Sequence, residues 1–442
     1  MVVSSDESVL IVGAGCFGIS TAYHLLQRGF TDVTVLDRSE TLPASDAAST
    51  DINKVVRTSY SDIFYAQLAR DAIQEWKKKD EWGDIYRECG FLALDSTDER
   101  LYVSKAYVND VALGLRTVKF SSGDAMRTVF PDSVKTGPAF EGASGYLNLD
   151  SGWVFATRGV EMMMSRVLAL GGKVMSGKAV TGLIRQDGRT SGVTLADGSS
   201  ISASLVVIAS GSWTASTFRD IDLDDKKFVS TGHAIATIQL TQEEAAWYRD
   251  VPVVFDFRTG FYIFPPTDDN IVKLAFHGPG VVHYPARDTD NPVSTPRTVS
   301  SHRDDGQSIT LSSLRRLRSS LRGIYPAIAE KPFATTRLCW YTESSDSDWV
   351  IGYYPSDPGL LLATSGSGHA YKFLPVIGRI VSDAIEGKLE PAIAQKFAVD
   401  RNQTEDRFDP SRGILRPVDL ITEPLCTPED LLPYSGQDIG GG

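Results

Sequence analysis

A glycine-rich motif near the N-terminus constrains the fold more than any other feature of the chain. The segment SVLIVGAGCFGISTAYHLLQRGFTDVTVLDRSE has the pattern of a buried strand, a glycine turn, an apolar-periodic helix and a second strand ending at Asp37. Gly13, Gly15 and Gly18 permit a tight turn, close approach of a pyrophosphate to the backbone, and packing of the helix on the strand. The helix N-terminus faces the phosphates, and the Asp37 carboxylate can accept hydrogen bonds from ribose hydroxyls. The sequence therefore predicts a dinucleotide-binding βαβ unit.

Two further glycine turns favour FAD over NAD as the dinucleotide. The segments ASGSW, at residues 209–213, and SGSGHAYKF, at residues 365–373, follow predicted strands far along the chain from the first motif. A cofactor contacted by residues near 15, 37, 210 and 368 is long and buried. A nicotinamide dehydrogenase generally needs only the first motif and a catalytic domain. The alternatives are an NAD-dependent dehydrogenase and a flavin-binding protein without catalytic activity.

Composition and charge limit the classes of partner. The length of 442 residues favours two domains, and the formal net charge of −12 argues against nucleic acid or an anionic membrane surface as a partner. A small molecule is therefore the expected partner. The four cysteines are dispersed and form no CxxC pair, so neither a disulfide framework nor a metal site is predicted. This cysteine usage favours a reducing, intracellular compartment.

The chain termini and apolar runs give an expectation about location. The first residues, MVVSSDESVLIVGAG, lack the basic region of a signal peptide, and the longest apolar runs are too short to cross a bilayer. The last residues, GQDIGGG, lack a peroxisomal signal of the SKL type. We therefore expect a cytoplasmic rather than a peroxisomal protein without membrane association.

Alternation of sequence patterns predicts two interleaved domains. The segments GHAIATIQL, VPVVFDFRTGFYIFPP and NIVKLAFHG alternate and turn like an antiparallel sheet, whereas strand–turn–helix patterns stand on either side of them. The predicted fold is α/β, with a Rossmann-like FAD-binding domain of the glutathione-reductase type interleaved with an α+β substrate domain built on an antiparallel sheet. We expect residues 1–90, 145–228 and 335–400 in the FAD-binding domain, residues 91–144 and 229–334 in the substrate domain, and a C-terminal extension at 401–442.

Six motifs in order along the chain resemble the monomeric sarcosine oxidase family of FAD-dependent amine oxidases. They are SVLIVGAGCFGISTAYHLLQRG, NKVVRTSYSD, GFYIFP, VKLAFHG, LCWYTESSDSDWVIG and GSGHAYKFLPVIG. The fungal branch is the most similar part of the family, namely the fructosyl-amino-acid oxidases (amadoriases), saccharopine oxidases and pipecolate oxidases. The resemblance implies that a monomer uses FAD and O2 to oxidise a C–N bond of a secondary amine to an imine, with release of hydrogen peroxide.

The resemblance also implies roles for five residues around the substrate. Lys273 matches the lysine that lies over the flavin face and assists oxygen, where a fixed positive charge stabilises developing negative charge. Arg57 and Lys372 match a pair that binds the substrate carboxylate, for which a guanidinium fork and an ammonium are suited. His277 matches an active-site histidine that could orient the substrate or favour the neutral amine, and Tyr262 is expected to form a wall of the pocket.

Arg57 and His277 bear on the class of substrate. Amadoriases lack an arginine at the position of Arg57 and carry an acidic residue where His277 stands. The expected substrate is therefore an N-substituted or cyclic amino acid, such as an N-methyl amino acid, pipecolate or saccharopine. Two alternatives are a fructosyl-amino-acid oxidase, favoured by the shared fungal-branch motifs, and a biosynthetic amine oxidase of secondary metabolism.

Cys339 matches the family cysteine that is joined by a thioether to the 8α-methyl group of the flavin, so the resemblance implies covalent FAD. The segment VIGYYP that follows departs from the family pattern, with Gly352 and Tyr354 where an acid and a histidine are common. The full set of expected cofactor contacts combines the glycine turns with neighbouring segments. It comprises Gly13, Ala14, Gly15, Cys16, Phe17, Gly18, Asp37, Arg38, Ser45, Ser49, Lys54, Val180, Ser210, Gly211, Trp213, Cys339, Gly366, Ser367, Gly368, His369 and Lys372.

Overall fold

A mostly parallel sheet carries the N-terminal glycine motif. The computed structural model describes residues 3–96, 101–223, 227–285, 292–402 and 417–433. Within these ranges the sheet has six strands, of which only the edge strand Val350–Tyr354 runs antiparallel to its neighbour. In spatial order the strands are Val350–Tyr354, Asp357–Thr364, Leu205–Ile208, Val9–Val12, Val33–Leu36 and Lys173–Met175. The strand Val9–Val12 is fully buried at the centre, as a strand covered on both faces requires.

The helix Cys16–Gln27 follows the glycine turn and packs against this sheet. The helices Ala156–Ala169 and Ile377–Ile385 pack on it in turn. A side chain at Gly18 would collide with the carbonyl oxygen of Gly13, so glycine is required for the helix to approach the strand. This is the packing role that the sequence predicts for the third glycine.

A second sheet is built from ten strands of the described chain and is mostly antiparallel. Its path is Val418–Asp419, Val281–Val282, Val229–Gln239, Ile271–Phe276, Phe261–Ile263, Val253–Asp256, Phe91–Ser96, Ala143–Asn148 and Thr117–Phe120, with Thr335–Glu343 also paired to Val229–Gln239. The helix Leu311–Ile324 lays its buried leucines against this sheet. The predicted α/β fold with an interleaved antiparallel sheet is thus confirmed.

Two three-stranded sheets and short helices complete the described structure. One small sheet has the order Asn53–Val56, Gly152–Phe155, Tyr86–Arg87, and the other has the order Val180–Gln186, Arg189–Leu195, Ser200–Ser202. The remaining α-helices are Ile63–Trp76, Lys79–Trp82, Leu101–Ala112, Gly123–Arg127, Thr214–Thr217, Gln242–Tyr248, Pro326–Ala329 and Pro391–Phe397. Short 3-10 helices span Pro138–Phe140, Gly211–Trp213, Tyr371–Phe373, Leu420–Thr422 and Glu429–Leu431. No helix in the described ranges is both long and apolar enough to span a bilayer.

Two strands of the antiparallel sheet come wholly or partly from the chain ranges expected for the FAD-binding domain. Thr335–Glu343 pairs along its whole length with Val229–Gln239, and Ala143–Asn148 pairs with Phe91–Ser96. Part of the expected C-terminal extension also belongs there, since Val418–Asp419 pairs with Val281–Val282; residues 403–416 and 434–442 of that extension lie outside the described ranges. The division of the chain between domains stays a prediction.

Candidate active site

Two cavities meet between the parallel and the antiparallel sheets. The larger has a volume of about 1010 Å³ and the smaller of about 660 Å³. Five residues line both of them: Lys54, Tyr341, Gly368, His369 and Tyr371. A molecule in one cavity therefore lies next to a molecule in the other.

The glycine turn forms one end of the smaller cavity. Gly13 has a φ of +110°, and a Cβ atom there would lie 2.5 Å from the carbonyl oxygen of Ala209. Gly15 is the N-cap of the helix Cys16–Gln27 and has no side chain to cap the helix, which leaves its N-terminus open to a ligand. The backbone N–H of Ala14 donates to the Asp37 carboxylate at 2.9 Å, so this acid is fixed beside the turn.

Most of the predicted cofactor residues line the smaller cavity. They are Gly13, Gly15, Cys16, Phe17, Asp37, Arg38, Ser45, Ser49, Lys54, Val180, Ser210, Gly211, Trp213, Gly366, Ser367, Gly368 and His369. Four others lie outside its lining. Ala14 acts through its backbone and Gly18 through helix packing, Lys372 lines the larger cavity, and Cys339 lies behind the wall.

The donor and acceptor groups around the smaller cavity fit FAD. The hydroxyl of Thr342, which lines this cavity, is buried without a hydrogen-bond partner, which natural proteins rarely tolerate unless a ligand or water satisfies it. Arg38 lies 4.1 Å over the Trp213 ring and supplies a positive charge near Asp37. The volume also falls in the range of about 300–1,000 Å³ that is typical of ligand pockets.

Arg57 projects into the larger cavity from an aromatic surround. The side chain is buried, and its guanidinium group lies 4.7 Å over the Tyr60 ring and 5.6 Å from that of Phe257. It donates hydrogen bonds to the carbonyl oxygen of Ser59 and to the hydroxyl of Tyr102. Burial of a guanidinium among aromatic faces strengthens its attraction for an anion, because little water competes.

Lys372 lines the same cavity as Arg57. Its Nζ donates to the Tyr60 hydroxyl at 2.6 Å and to the His369 carbonyl oxygen at 2.8 Å. Burial and the positive charge of Arg57 hold the pKa of Lys372 well below its usual range. The two predicted carboxylate-binding residues are therefore brought together in one buried place.

Aromatic side chains and His277 form the wall near the junction of the cavities. His277 is 9% exposed and lines the larger cavity with Tyr262 and Phe255. The Tyr262 ring stacks on Phe255 at 5.5 Å, and burial raises the pKa of Tyr262 to about 12. The hydroxyl of Tyr262 stays neutral at working pH, so it can position a ligand but does not supply charge.

Lys273 lies behind the cavities and lines neither of them. It is 0% exposed, and its Nζ donates to the Asp51 carboxylate and to the Asn53 carbonyl oxygen, both at 2.6 Å. Asp51 is also 2.9 Å from the Nζ of Lys54, which lines both cavities. Lys273 is thus connected to the junction of the cavities through a shared carboxylate.

This buried triad of Asp51, Lys54 and Lys273 has unequal acidities. Burial opposes ionisation of Asp51, but the two ammonium groups hold its pKa well below its usual range. Burial lowers the pKa of Lys273 to about 8, against the attraction of Asp51. The side chain of Lys54 is more exposed than that of Lys273, and Asp51 raises the pKa of Lys54 although burial opposes this. Lys273 is therefore the member of the triad whose pKa burial brings closest to neutral pH.

Cys339 lies on the strand Thr335–Glu343 with its side chain on the same face as Tyr341, two residues on. The side chain is 1% exposed, and the Nζ of Lys54 is 3.6 Å from its sulfur atom. Because Lys54 and Tyr341 both line the smaller cavity, the thiol is adjacent to side chains that line that cavity.

Sequence reasoning missed three contributors to the site. Asp51 binds two predicted lysines, and its position three residues before Lys54 was an available signal. Tyr60 joins Lys372 to His369, but only tertiary structure brings these together. At the outer end of the larger cavity Lys396 pairs with Asp348 at 2.9 Å. In the described ranges no group of three or more His, Cys, Asp or Glu side chains could hold a metal ion.

The chain is similar to known proteins along most of its length. The model of the DAO family, FAD dependent oxidoreductases, matches residues 8–384. The chain is similar to L-saccharopine oxidase of Schizosaccharomyces pombe, with 28% identity covering 87% of this chain and 91% of that protein. It is also similar to the amino acid oxidase imqH of Aspergillus flavus, with 26% identity over 88% and 95% of the two chains. Among solved structures, the fructosamine oxidase Amadoriase II of Aspergillus fumigatus matches with a TM-score of 0.83, 27% identity and coverage of 96% and 98%.

Proposed function

The chain belongs to the DAO family of FAD-dependent oxidoreductases, and from that premise we propose that it oxidises a secondary amine within an N-substituted or cyclic amino acid. N-methyl amino acids, pipecolate and saccharopine represent this class. The relative from Schizosaccharomyces pombe, an L-saccharopine oxidase, supports a substrate of this kind.

One observation carries the proposal: Arg57 and Lys372 are both buried in the larger cavity, which adjoins the smaller one. A guanidinium and an amine nitrogen placed together suit a carboxylate, and a carboxylate held there fixes the adjacent carbon. The amine-bearing carbon then lies toward the junction lined by Lys54, Tyr341 and Gly368. Orientation of this kind can lower the activation free energy by on the order of 7–11 kcal/mol in well-oriented systems.

Different residues of the chain would bind the cofactor, orient the substrate, exclude water and support the reaction with O2. The chemistry supplied by FAD is acceptance of a hydride from the carbon beside the amine nitrogen, which leaves an imine, and reduction of O2 to hydrogen peroxide. The glycine turn, Asp37 and Thr342 would hold this cofactor, and Arg57 orients the substrate. Tyr262 and Phe255 exclude water from the reacting atoms. Lys273 provides a positive charge for the reaction with O2, and a monomeric, cytoplasmic protein stays our expectation.

A fructosyl-amino-acid oxidase is the second candidate. The TM-score of 0.83 to Amadoriase II and the large volume of about 1010 Å³ favour it, since a sugar adduct needs room. Arg57 and His277 favour the first candidate. The amadoriase pattern has no arginine at the position of Arg57, and it has an acidic residue at the position of His277. A biosynthetic amine oxidase would use the same residues with a bulkier amine.

The test of the proposal is a peroxide-coupled assay on purified protein with sarcosine, N-methylated aromatic amino acids, pipecolate, saccharopine and fructosyl-valine. We expect oxidation of at least one of the first four classes with a higher kcat/KM than that of fructosyl-valine. Oxidation of fructosyl-valine alone would show that the carboxylate-based assignment is wrong. The ratio of kcat/KM for saccharopine to that for pipecolate then indicates how much of the larger cavity the substrate fills.

We further propose that Cys339 would be joined by a thioether to the 8α-methyl carbon of FAD: its S–H bond and one C–H bond of the methyl group break, an S–C bond forms, and the two electrons released reduce O2 to hydrogen peroxide. The sulfur lies next to Lys54, which lines the cofactor cavity, and shares a strand face with Tyr341. After acid precipitation, the yellow colour should remain with the protein, and Cys339→Ser should release all of the flavin into the supernatant. Cys426→Ser is the matched control, since this buried thiol packs in the core of the antiparallel sheet. Complete release of flavin from the unmodified protein would refute the bond.

A further inference from the structure

The Nζ atom of Lys372 makes two hydrogen bonds to the protein, which is the number of N–H donors that a neutral amine has. Its Nζ donates to the Tyr60 hydroxyl at 2.6 Å and to the His369 carbonyl oxygen at 2.8 Å. A neutral amine has two N–H donors and one lone pair, whereas an ammonium group has three donors and no lone pair. Both donors of the neutral form are used, and the lone pair is left for a ligand in the cavity that Lys372 lines.

The tautomer of His369 fixes the direction of the bond between Tyr60 and Lys372. The Nε2 of His369 lies 2.9 Å from the carbonyl oxygen of Ser347, which only accepts, so Nε2 carries the hydrogen. In the neutral ring Nδ1 is then an acceptor, and the Tyr60 hydroxyl donates to it at 3.1 Å. The Tyr60 oxygen can therefore only accept from Lys372, which keeps an N–H of Lys372 pointing away from the cavity.

The charges that face Lys372 disfavour a third proton in the ligand-free protein. Lys372 is 5% exposed, and the titratable groups around it are Arg57, Tyr60 and Cys16. Arg57 repels a second cation, Tyr60 already donates its proton to His369, and burial raises the pKa of the Cys16 thiol, so this thiol supplies no negative charge. Burial and Arg57 together hold the pKa of Lys372 well below its usual range.

We propose that Lys372 accepts a proton from the ammonium group of the bound amino acid and then binds its carboxylate together with Arg57. This step rests on the proposed function, since it needs a substrate with an amine next to a carboxylate. An N–H bond of the substrate breaks, an N–H bond to Nζ forms, and no electrons are exchanged. The net charge of the cavity does not change.

Two consequences follow from the transfer. The substrate nitrogen becomes neutral, which is the state required for loss of a hydride from the adjacent carbon. Lys372 gains a third N–H bond and a positive charge, and this charge attracts the carboxylate of the same substrate. Binding of the correct zwitterion thus activates the amine and completes the carboxylate site in one step.

The experiment counts protons taken up when ligands bind the FAD-loaded protein. Isothermal titration calorimetry at pH 8 in buffers of different ionisation enthalpy gives this number. Pyrrole-2-carboxylate has a carboxylate and no basic amine, and 2-aminoisobutyrate has an ammonium group but no hydrogen on its α-carbon to be oxidised. We expect uptake of about one proton with pyrrole-2-carboxylate and about zero with 2-aminoisobutyrate. Equal uptake with the two ligands would overturn the proton transfer.

Variants distinguish this proposal from the carboxylate site on which it depends. Lys372→Met and Lys372→Arg should both bind pyrrole-2-carboxylate with about zero proton uptake, because neither side chain can gain a proton. Lys331→Met, which removes a lysine paired with Glu244 outside both cavities, should keep the uptake of the unmodified protein. Circular dichroism and flavin content show whether each variant folds. If neither ligand binds the unmodified protein, the carboxylate site is wrong; if both bind without uptake, only the proton transfer is wrong.

Discussion

Replacing Arg57 with methionine should lower kcat/KM for an N-substituted amino acid roughly 30- to several-thousand-fold. This corresponds to a loss of about 2–5 kcal/mol of transition-state stabilisation, as expected when one partner of a desolvated charge pair is removed. Arg57 is buried among aromatic rings, where its attraction for a carboxylate is weakly screened. Methionine fills a similar volume and packs well against aromatic faces, so the protein should still fold and bind FAD. Steady-state kinetics with the best substrate of the panel measure the loss.

The carboxylate of the substrate provides the sharpest control for Arg57. The unmodified enzyme should prefer an N-methyl amino acid to the corresponding uncharged amide, and Arg57→Met should lose most of that preference. Arg116→Met, which removes a solvent-exposed arginine paired with Asp150, should change neither rate. A variant that loses the same factor with the acid and with the amide would show that Arg57 acts on packing and not on the carboxylate.

Local patterns explain why the cofactor half of the site could be predicted from sequence. The strand, turn and helix around Gly13 are specified within a few dozen residues, and backbone sterics at this turn admit only glycine. Asp37 follows at the end of the next strand, and Ala14 fixes it as the motif requires. The Arg57 and Lys372 assignments came from the resemblance, and the structure brings both to one cavity.

Long-range pairings explain what the sequence could not predict. Asp51 and Lys273 are 222 positions apart, and Lys372 and Tyr60 are 312 apart. Nothing in the local sequence of either lysine indicates its partner, although each partner accepts a hydrogen bond from that lysine. The sheet to which Thr335–Glu343 belongs could not be predicted for a similar reason. A buried apolar run does not reveal which of two sheets it joins.

Removal of the positive charge at Lys273 should slow reoxidation of the reduced enzyme by O2 about 100- to 1,000-fold, the usual cost of losing one preorganised electrostatic group. Lys273→Met should change anaerobic reduction by the substrate much less, because Lys273 lines neither cavity and contacts Asp51 instead. Stopped-flow absorbance measures the two half-reactions separately. Equal losses in both would contradict a role in the oxygen reaction.

The pH dependence of reoxidation separates Lys273 from Lys54, the other cation that Asp51 binds. Burial lowers the pKa of Lys273 to about 8, so the ammonium form is present below that pH and is lost as the pH rises through it. Reoxidation should therefore slow above about pH 8 in the unmodified enzyme and stay level in Lys273→Arg, whose guanidinium keeps its charge. Asp51→Asn removes the attraction that opposes burial, so the midpoint should move to lower pH. Because Asp51 raises the pKa of Lys54, a Lys54→Met variant that alone abolished the pH dependence would reassign the oxygen-reactive charge to Lys54.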